Sequence, residues 1–281
     1  MLQKKSTKAR ALSLISIYNA GSGHPGGVLS CVDLITYIFE REMNFDTNDF
    51  LSKKRDRFIL SKGHCAPALY SVASLCGIID QSRLNGLRKI NHELQGHTCR
   101  TTTPWVEAST GSLSQGFSFA IGEAKGLMMQ NISNRVYVMV GDGELQEGQI
   151  WEGAMFSAHH KLDNLCAIVD YNKMQSDNLN ANIMGLEPLT DKWVSFGWNV
   201  IVIDGHDFTD IERGFLEAQR CCGKPTVIIA NTIKGKGVSY MEGVPSWHGS
   251  VKLSESDISV ALSELNYSKE EIIGVINVKR A

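Results

Sequence analysis

The sequence has no long apolar run, no excess of charge of one sign and no paired cysteine motif. Its 281 residues carry 28 Lys and Arg against 30 Asp and Glu, a net charge of −2, which excludes a strongly basic surface for nucleic acid or anionic membrane. No stretch reaches the roughly 18 apolar residues of a membrane span, and no signal-type apolar run follows the basic N-terminus. The seven cysteines contain no C-x-x-C pair, which favours reduced thiols over disulfides or zinc. We therefore expect a globular cytoplasmic protein with no nucleic-acid or membrane partner.

Strand and helix patterns alternate through the second half of the chain. Val- and Ile-rich runs predict strands at 135–140, 165–169, 198–203 and 226–230, and helical spacing predicts helices at 149–160, 189–196 and 207–220. Buried strands separated by helices indicate an α/β fold of three αβα layers with a mostly parallel sheet. The chain is expected to form one domain over 1–281, with a C-terminal extension from about residue 250.

The first half is predicted to be mainly helical. Helices are expected at 4–19, 30–40, 67–76 and 117–128, with a short strand at 57–60 and a long loop at 91–114. The tail at 254–278 suggests two short helices, and the vicinal pair Cys221-Cys222 is assigned to a helical segment with a packing role.

The sharpest chemical signal is Gly141-Asp142-Gly143 at the end of a predicted strand, followed by Asn172 after the next strand. The ends of parallel strands converge at one edge of a sheet. Asp142, the Asn172 amide oxygen and a backbone carbonyl near Met174 would suit Mg²⁺, which prefers oxygen ligands and often binds substrate phosphates. The Gly143 N–H can donate to a phosphate. The tripeptide taken alone also fits a plain turn.

Four further motifs place histidines beside glycines. They are Gly23-His-Pro-Gly26, Ser61-Lys-Gly-His64, Gly96-His97 with Ser109-Thr-Gly-Ser-Leu113, and Trp247-His-Gly249. The segment from Gly21 to Gly26 satisfies the dinucleotide pattern G-x-G-x-x-G, but it follows a helix and contains Pro25, so that interpretation fails its structural context. A single histidine is often only a satisfied polar residue. As a set without zinc-type spacing, these four fit hydrogen-bond donors better than metal ligands.

Together these motifs, in this order between about residues 10 and 250, resemble the N-terminal half of transketolases. The resemblance implies a thiamine-diphosphate-binding fold that holds thiamine diphosphate through Mg²⁺ or another divalent cation such as Ca²⁺ or Mn²⁺. The residues implied to bind the cofactor are His64, Gly111, Ser112, Leu113, Gly141, Asp142, Gly143, Glu144, Asn172 and His248. The implied metal ligands are Asp142, Asn172 and Met174.

The resemblance also implies catalytic roles for four residues. His24 and His97 would hold sugar hydroxyls and help move protons, and His248 would lie near both cofactor phosphate and substrate. Glu147 would face its counterpart across a subunit contact, although an ordinary carboxylate at a helix start is an equally good interpretation of the sequence. Thr98 stands where many family members have proline, and with the unusual loop 98–104 it bears on the identity of the sugar.

The implied activity is that of a transketolase subunit, which transfers a two-carbon ketol unit from a ketose, or its phosphate, to an aldose. In the family, the glutamate that activates the cofactor and the arginines that bind sugar phosphate belong to a second domain. We expect a partner subunit carrying the pyrimidine-binding and C-terminal domains, in an α2β2 heterotetramer. The alternatives are a subunit of a 2-oxo-acid dehydrogenase or pyruvate-using synthase, and a non-catalytic paralogue acting as a binding module.

Overall fold

A parallel sheet forms the centre of the molecule. The computed structural model describes residues 1–49, 52–176 and 178–280. Its strands are β1 (Arg57–Leu60), β2 (Val136–Gly141), β3 (Leu165–Tyr171), β4 (Met174–Gln175), β5 (Asn178–Leu179), β6 (Asn199–Asp204) and β7 (Thr226–Asn231). The main sheet has the order β1-β2-β3-β7-β6 with every neighbouring pair parallel, while β4 and β5 form a separate antiparallel pair.

Helices cover both faces of this sheet. They are α1 (Leu2–Ala20), α2 (Pro25–Tyr37), α3 (Ala66–Leu75), α4 (Gln115–Met129), α5 (Gly148–His159), α6 (Asn180–Ile183), α7 (Leu189–Ser195), α8 (Phe208–Arg220), α9 (Glu255–Glu264) and α10 (Lys269–Arg280). In the described ranges, no helix is both long and apolar enough to cross a membrane.

Alternation along the strands creates two separate cores. Successive side chains of a strand point to opposite faces. Tyr137 and Met139 of β2 therefore pack into the core formed with α1, α2, α3 and α8, whereas Val136, Val138 and Val140 pack against α4, α5 and α7. This arrangement confirms the predicted three-layer αβα fold with a parallel sheet.

Most predicted elements are present, with two corrections. Helix α2 begins at Pro25, inside the glycine-rich segment, because proline suits the first helical position. The pair Cys221-Cys222 is not helical: α8 ends at Arg220, Cys221 has extended backbone and Cys222 is exposed. The segment 91–114 is irregular as predicted, and the tail forms α9 and α10. Side chains of α9 and the preceding Leu253 join the core that contains α1.

The carboxyl ends of β1, β2, β3 and β7 meet at one edge of the sheet. The residues that follow these strands are therefore neighbours in space although they are far apart in sequence. This edge is where open α/β sheets bind their ligands.

Candidate active site

A cleft lies at this edge of the sheet. The predicted site residues that line it are His24, His64, His97, Gly111, Leu113, Gly141, Asp142, Gly143, Glu144, Glu147, Asn172, Met174 and His248. Ser112 is the exception in the predicted set: it is exposed and is not part of the lining, although Gly111 and Leu113 on either side are. The sequence did not single out Gly27, Lys62, Gln146, Gln175, Ser176 and Lys234, which complete the lining.

Asp142, Asn172 and Met174 line the floor of the cleft. Asp142 is 2% exposed, and its carboxylate accepts the backbone N–H groups of Gly143, at 2.8 Å, and of Lys173. The Asn172 amide oxygen accepts the Met174 N–H at 3.1 Å. Burial, reinforced by the negative charge of Asp170, raises the pKa of Asp142 to about 6. The charge of Lys62 and the two backbone N–H groups oppose this rise without cancelling it.

The predicted phosphate donor Gly143 has a different bond in this structure. Its N–H is engaged by the adjacent Asp142 carboxylate rather than pointing freely into the cleft. A side chain at this position is excluded for a separate reason: a Cβ on Gly143 would lie 2.8 Å from the Cβ of Gln175. The glycine is thus required by close packing of the two loops.

A buried ion pair joins the segments that surround the cleft. Lys62 and Asp170 form a salt bridge with side chains only 2% and 0% exposed. Asp170 also accepts hydrogen bonds from Ser30, at 2.6 Å, and from Thr232. Burial opposes ionisation of Asp170, but Lys62 and these hydroxyls hold its pKa below the usual range. The pair ties the end of β3 to the loop after β1, to α2 and to the loop after β7.

A second buried lysine supplies positive charge inside the cleft. Lys234, on the loop after β7, is 1% exposed, and its ammonium donates to the Met174 carbonyl at 3.0 Å. Burial, followed by repulsion from Lys62, lowers the pKa of Lys234 to about 8. Among the described residues, Lys234 has no carboxylate within salt-bridge distance.

The four histidines form one cluster above this floor. The ring centroid of His24 lies 5.3 Å from that of His64, 6.0 Å from His248 and 6.2 Å from His97. Burial first, and neighbouring positive groups second, lower the pKa of His24 to about 4 and that of His248 to about 2. The Nδ1 atoms of both rings are buried without a hydrogen-bond partner among the described residues.

Backbone contacts bring the C-terminal histidine to the N-terminal one. Gly23 and Val251 form an antiparallel bridge with hydrogen bonds of 3.1 and 2.8 Å. Gly26 packs so closely on the next segment that a Cβ would lie 2.8 Å from the Trp247 carbonyl oxygen. These contacts seat His248 beside His24 although the two are more than 200 positions apart.

Glu144 joins three segments around the cleft. Its Oε1 accepts the Ser61 hydroxyl at 2.5 Å and the Ser114 N–H at 2.8 Å, and its Oε2 accepts the Gly141 N–H at 3.0 Å. Ser114 has a left-handed backbone with φ of 72°. Glu144 is 2% exposed, and burial raises its pKa. The contacts of this carboxylate indicate that it holds the protein loops in place.

The hydroxyl of Thr98 is bonded within its own loop. Its hydroxyl lies 3.1 Å from the Ala108 carbonyl oxygen and 2.6 Å from the Thr110 hydroxyl, and its side chain is buried. Thr110 in turn donates to the Leu60 carbonyl at 2.7 Å. The unusual loop 98–104 is therefore anchored to the end of β1, and the Thr98 hydroxyl is committed to the loop.

The cleft is chemically suited to a diphosphate held through a divalent cation. One carboxylate, one amide oxygen and one backbone carbonyl form a donor set of the kind that Mg²⁺ uses with phosphates. The raised pKa of Asp142 and the buried ammonium of Lys234 are both unfavourable without a ligand of opposite charge. A cation beside Asp142 and an anion beside Lys234 would remove both penalties. Fold and site thus define an α/β domain with a cleft suited to a phosphorylated cofactor at the carboxyl edge of its sheet.

Comparison with known proteins identifies the family. The family model described as the transketolase thiamine diphosphate binding domain matches residues 2–277. The chain is 43% identical over 264 residues to a 6-deoxy-6-sulfo-D-fructose transketolase subunit of Clostridium sp. (strain MSTE9), covering 94% of this chain and 96% of the relative. It is 39% identical over 254 residues to an apulose-4-phosphate transketolase subunit of Phocaeicola vulgatus, covering 90% of each. The chain belongs to the transketolase family, and in extent it matches the subunits of members built from more than one chain.

Solved structures support the same assignment. A transketolase of Pichia stipitis superposes with a TM-score of 0.90 at 27% identity, covering 99% of this chain and 45% of that one. A transketolase of Leishmania mexicana gives a TM-score of 0.89 at 26% identity, with coverages of 99% and 44%. The chain thus spans less than half the length of these solved transketolases. The comparisons confirm the predicted family and the predicted class, a subunit of transketolase type.

Proposed function

We propose that this chain binds thiamine diphosphate through a divalent cation, with Mg²⁺ the first candidate, and with a partner subunit transfers a two-carbon ketol unit from a ketose to an aldose. The observation that carries the proposal is the composition of one cleft. Asp142, Asn172 and Met174 supply oxygen atoms to its floor, and the ammonium of Lys234 lies there without a carboxylate partner among the described residues. The cluster of four histidines lies next to this floor.

Asp142, the Asn172 amide oxygen and the Met174 carbonyl would hold the cation. Lys234 and His64 would hold diphosphate oxygens, and His248 would contribute from the opposite loop. Gly111 and Leu113 would contact the pyrimidine ring. When bound, thiamine diphosphate supplies an electron sink that allows a carbon–carbon bond beside a carbonyl to break and to form.

The histidines would bind and orient the sugar. At neutral pH, the lowered pKa values keep His24 and His97 neutral, so each ring has one donor and one acceptor nitrogen. Sugar hydroxyls can satisfy both, and the partnerless Nδ1 of His24 offers a site for such a contact. A neutral imidazole can also accept a proton at one nitrogen and release one from the other, which suits proton movement during ketol transfer.

A second subunit would complete the site. By family resemblance, the carboxylate that activates the cofactor lies on a pyrimidine-binding domain, and we propose that a partner carrying this domain and a C-terminal domain covers the cleft. His97 and Glu147 are exposed at its margin, where such a partner would contact them. We further propose an α2β2 heterotetramer in the cytoplasm, with Glu147 facing its counterpart across a two-fold axis.

An anionic ketose is the favoured donor class. The two multi-subunit relatives described above are named for a sulfonated ketose and a phosphorylated ketose. The competing assignment, a 2-oxo-acid enzyme, has less need of hydroxyl-binding imidazoles, and no relative given above is named for such an activity. Pyruvate turnover without ketose cleavage would favour that alternative.

Calorimetry tests cofactor binding by the chain itself. Thiamine diphosphate should bind only with a divalent cation, and Asp142→Ala should weaken binding by about 2–3 kcal/mol, because a charged metal ligand is lost. Asp191→Ala, an exposed aspartate in the first turn of α7, is the matched control and should change nothing. Unchanged affinity in Asp142→Ala would reject the metal assignment.

Reconstitution tests the need for a partner. The isolated chain, saturated with cofactor and Mg²⁺, should cleave no ketose, and adding a chain that resembles the pyrimidine-binding half of transketolase should restore the reaction. Binding of cofactor with no activity in any reconstituted mixture would instead favour a non-catalytic binding module. Ketose cleavage by the isolated chain, freed of host transketolase, would refute the two-subunit proposal.

A further inference from the structure

The guanidinium of Arg88 lies between the two loops that carry His24 and His97. Its Nη1 donates to the Ser22 hydroxyl at 2.8 Å, two residues before His24. On its other side it packs on Gly96, directly before His97. A Cβ on Gly96 would lie 2.5 Å from Nε and 3.0 Å from Nη2 of this arginine, so a residue with a side chain would displace the guanidinium.

The backbone around Arg88 is built to hold this position. Arg88 has a left-handed conformation with φ of 60°, which is uncommon for a residue with a long side chain. Its N–H donates to the Leu94 carbonyl at 2.9 Å and closes the turn that leads to Gly96. Residues in sparsely populated backbone conformations cluster at functional sites, so this turn is consistent with a functional role for the Arg88 charge.

Within the described residues, no carboxylate pairs with the charge on Arg88. The bond to Ser22 is the one hydrogen bond made by its guanidinium to the described residues, and its Nε is buried without a partner. In the same part of the chain, no carboxylate lies within salt-bridge distance of it, whereas Arg10, Arg55 and Arg83 each pair with one. A half-buried guanidinium with free donors is costly unless an anion or another acceptor fills them.

We propose that Arg88 is a specificity-determining residue that binds the tetrahedral oxyanion, phosphate or sulfonate, at the end of the sugar substrate. This inference rests on the proposed ketol transfer for its substrate and adds a cation from this chain to the sugar-binding residues expected on the partner. A guanidinium offers several coplanar donors that match such an oxyanion. The same positive charge contributes, after burial, to the lowered pKa values of His24 and His97, which places it close to both rings.

Nuclear magnetic resonance of the full chain tests the proposal without catalysis. The ring signals of His24 and His97 would be followed during separate titrations with inorganic phosphate and with methanesulfonate. We expect saturable shifts in the wild type, at least a ten-fold weaker effect in Arg88→Gln, and an intermediate effect in Arg88→Lys, which keeps the charge and loses the planar fork. The ratio of the two affinities identifies which oxyanion the site prefers.

The variants distinguish phosphate binding at Arg88 from phosphate binding at the floor of the cleft. Phosphate held near Lys234 would persist in Arg88→Gln, so only the part lost in that variant reports the proposed site. Arg100→Gln is the matched control, because Arg100 is exposed and donates to the Glu107 carbonyl outside the cleft. Thermal melting checks folding, and Arg88→Lys keeps the test valid if Arg88→Gln is unstable.

The outcomes distinguish this inference from the proposed function. The inference is overturned if phosphate causes no shift at His24 and His97 in the wild type, or if the shifts are equal in wild type and Arg88→Gln. Either result counts whether or not thiamine diphosphate binds. In the reconstituted enzyme, Arg88→Gln should raise KM at least ten-fold for an anionic ketose with little change in kcat, and should raise KM much less for an uncharged ketose. An equal loss with both sugars would mean that Arg88 has a structural role, or that its charge pairs with a carboxylate of the partner, and would overturn the inference.

Discussion

Removing Lys62 should destabilise the protein more than any surface lysine does. Its ammonium and the Asp170 carboxylate are 2% and 0% exposed, so Lys62→Met would leave a fully buried negative charge with only hydroxyl and amide donors. Breaking one side of a buried pair costs about 3–5 kcal/mol. Asp170→Asn should cost a similar amount, because it leaves the Lys62 ammonium without its counter-charge. Both values can be measured as free energies of unfolding in urea.

The double variant separates the ion pair from simple loss of packing. Lys62→Met with Asp170→Asn buries no charge, and the asparagine can still accept from Ser30. Its cost should therefore fall below the sum of the two single costs by about 2 kcal/mol or more. Lys5→Met is the control: the Lys5–Glu40 pair is 35% and 16% exposed, and its loss should cost less than about 1 kcal/mol. Equal costs for Lys62→Met and Lys5→Met would refute the reasoning.

The pair also fixes the pH range over which its contribution persists. Lys62 keeps the pKa of Asp170 below its usual value, and Asp170 raises the pKa of Lys62 well above its own against the effect of burial. The stabilisation is therefore fully present between about pH 4 and about pH 10, the ordinary pKa values of the two groups. It is lost as pH falls through the lowered pKa of Asp170, or rises through the raised pKa of Lys62. The contribution of the pair itself should be flat from about pH 5 to about pH 9, so a pH dependence of the stability difference between wild type and Lys62→Met in this range reports Asp142 and Lys234, whose pKa values Lys62 also affects.

Three further changes probe the cleft. Glu144→Gln would direct an amide N–H toward buried backbone N–H groups and should lower the free energy of unfolding in urea by about 1–3 kcal/mol. The exposed Glu147→Gln should change it by no more than about 0.5 kcal/mol. Equal effects of the two changes would contradict the role of Glu144 in holding the loops. His97→Ala should lower the rate of ketol transfer at least about ten-fold, because one hydrogen bond to the substrate is lost. Calorimetry should show unchanged cofactor affinity. Loss of cofactor binding in a folded variant would show that His97 serves the cofactor and not the sugar. Gly111→Ala should lower Tm, at a cost of about 1–3 kcal/mol, because φ is 145° and the new Cβ would lie 3.0 Å from the His97 ring. Gly148→Ala has open space at its Cβ and should leave Tm unchanged. Equal Tm values for the two variants would refute this reasoning.

The sheet and the proximity of Asp142 and Asn172 could be predicted because they depend on local pattern and topology. Apolar runs at the spacing of a parallel α/β fold place Asp142 and Asn172 at adjacent strand ends, and parallel pairing then brings them together without further information. The same logic explains why His64, which follows β1, joins them. His248 follows no strand of the sheet, and its place in the predicted site came from family resemblance rather than from topology.

The two buried lysines were missed because the sequence gives no sign of their burial. Lysine is rarely found fully buried, so Lys62 and Lys234 look like surface residues in any compositional argument. Only the tertiary structure pairs Lys62 with Asp170, which lies 108 positions away. The start of α2 was misplaced for a related reason. Gly26 and Gly27 disfavour a helix locally, yet the contacts with Trp247 and His64 leave no room for side chains there.

The electrostatics of the cleft divide the work between lysines and histidines. The lysines hold fixed positive charge at the floor, where Lys62 is neutralised by Asp170 and Lys234 is not. Burial is the main reason that the pKa of His24 is lowered to about 4 and that of His248 to about 2, and the charge of the two lysines contributes at His248. If the histidines carried the charge needed to bind a diphosphate, they would lose the acceptor nitrogens that sugar hydroxyls require. We infer that the buried Lys234 leaves His24 and His97 available for the sugar, because it supplies anion binding from a residue that takes no part in holding hydroxyls.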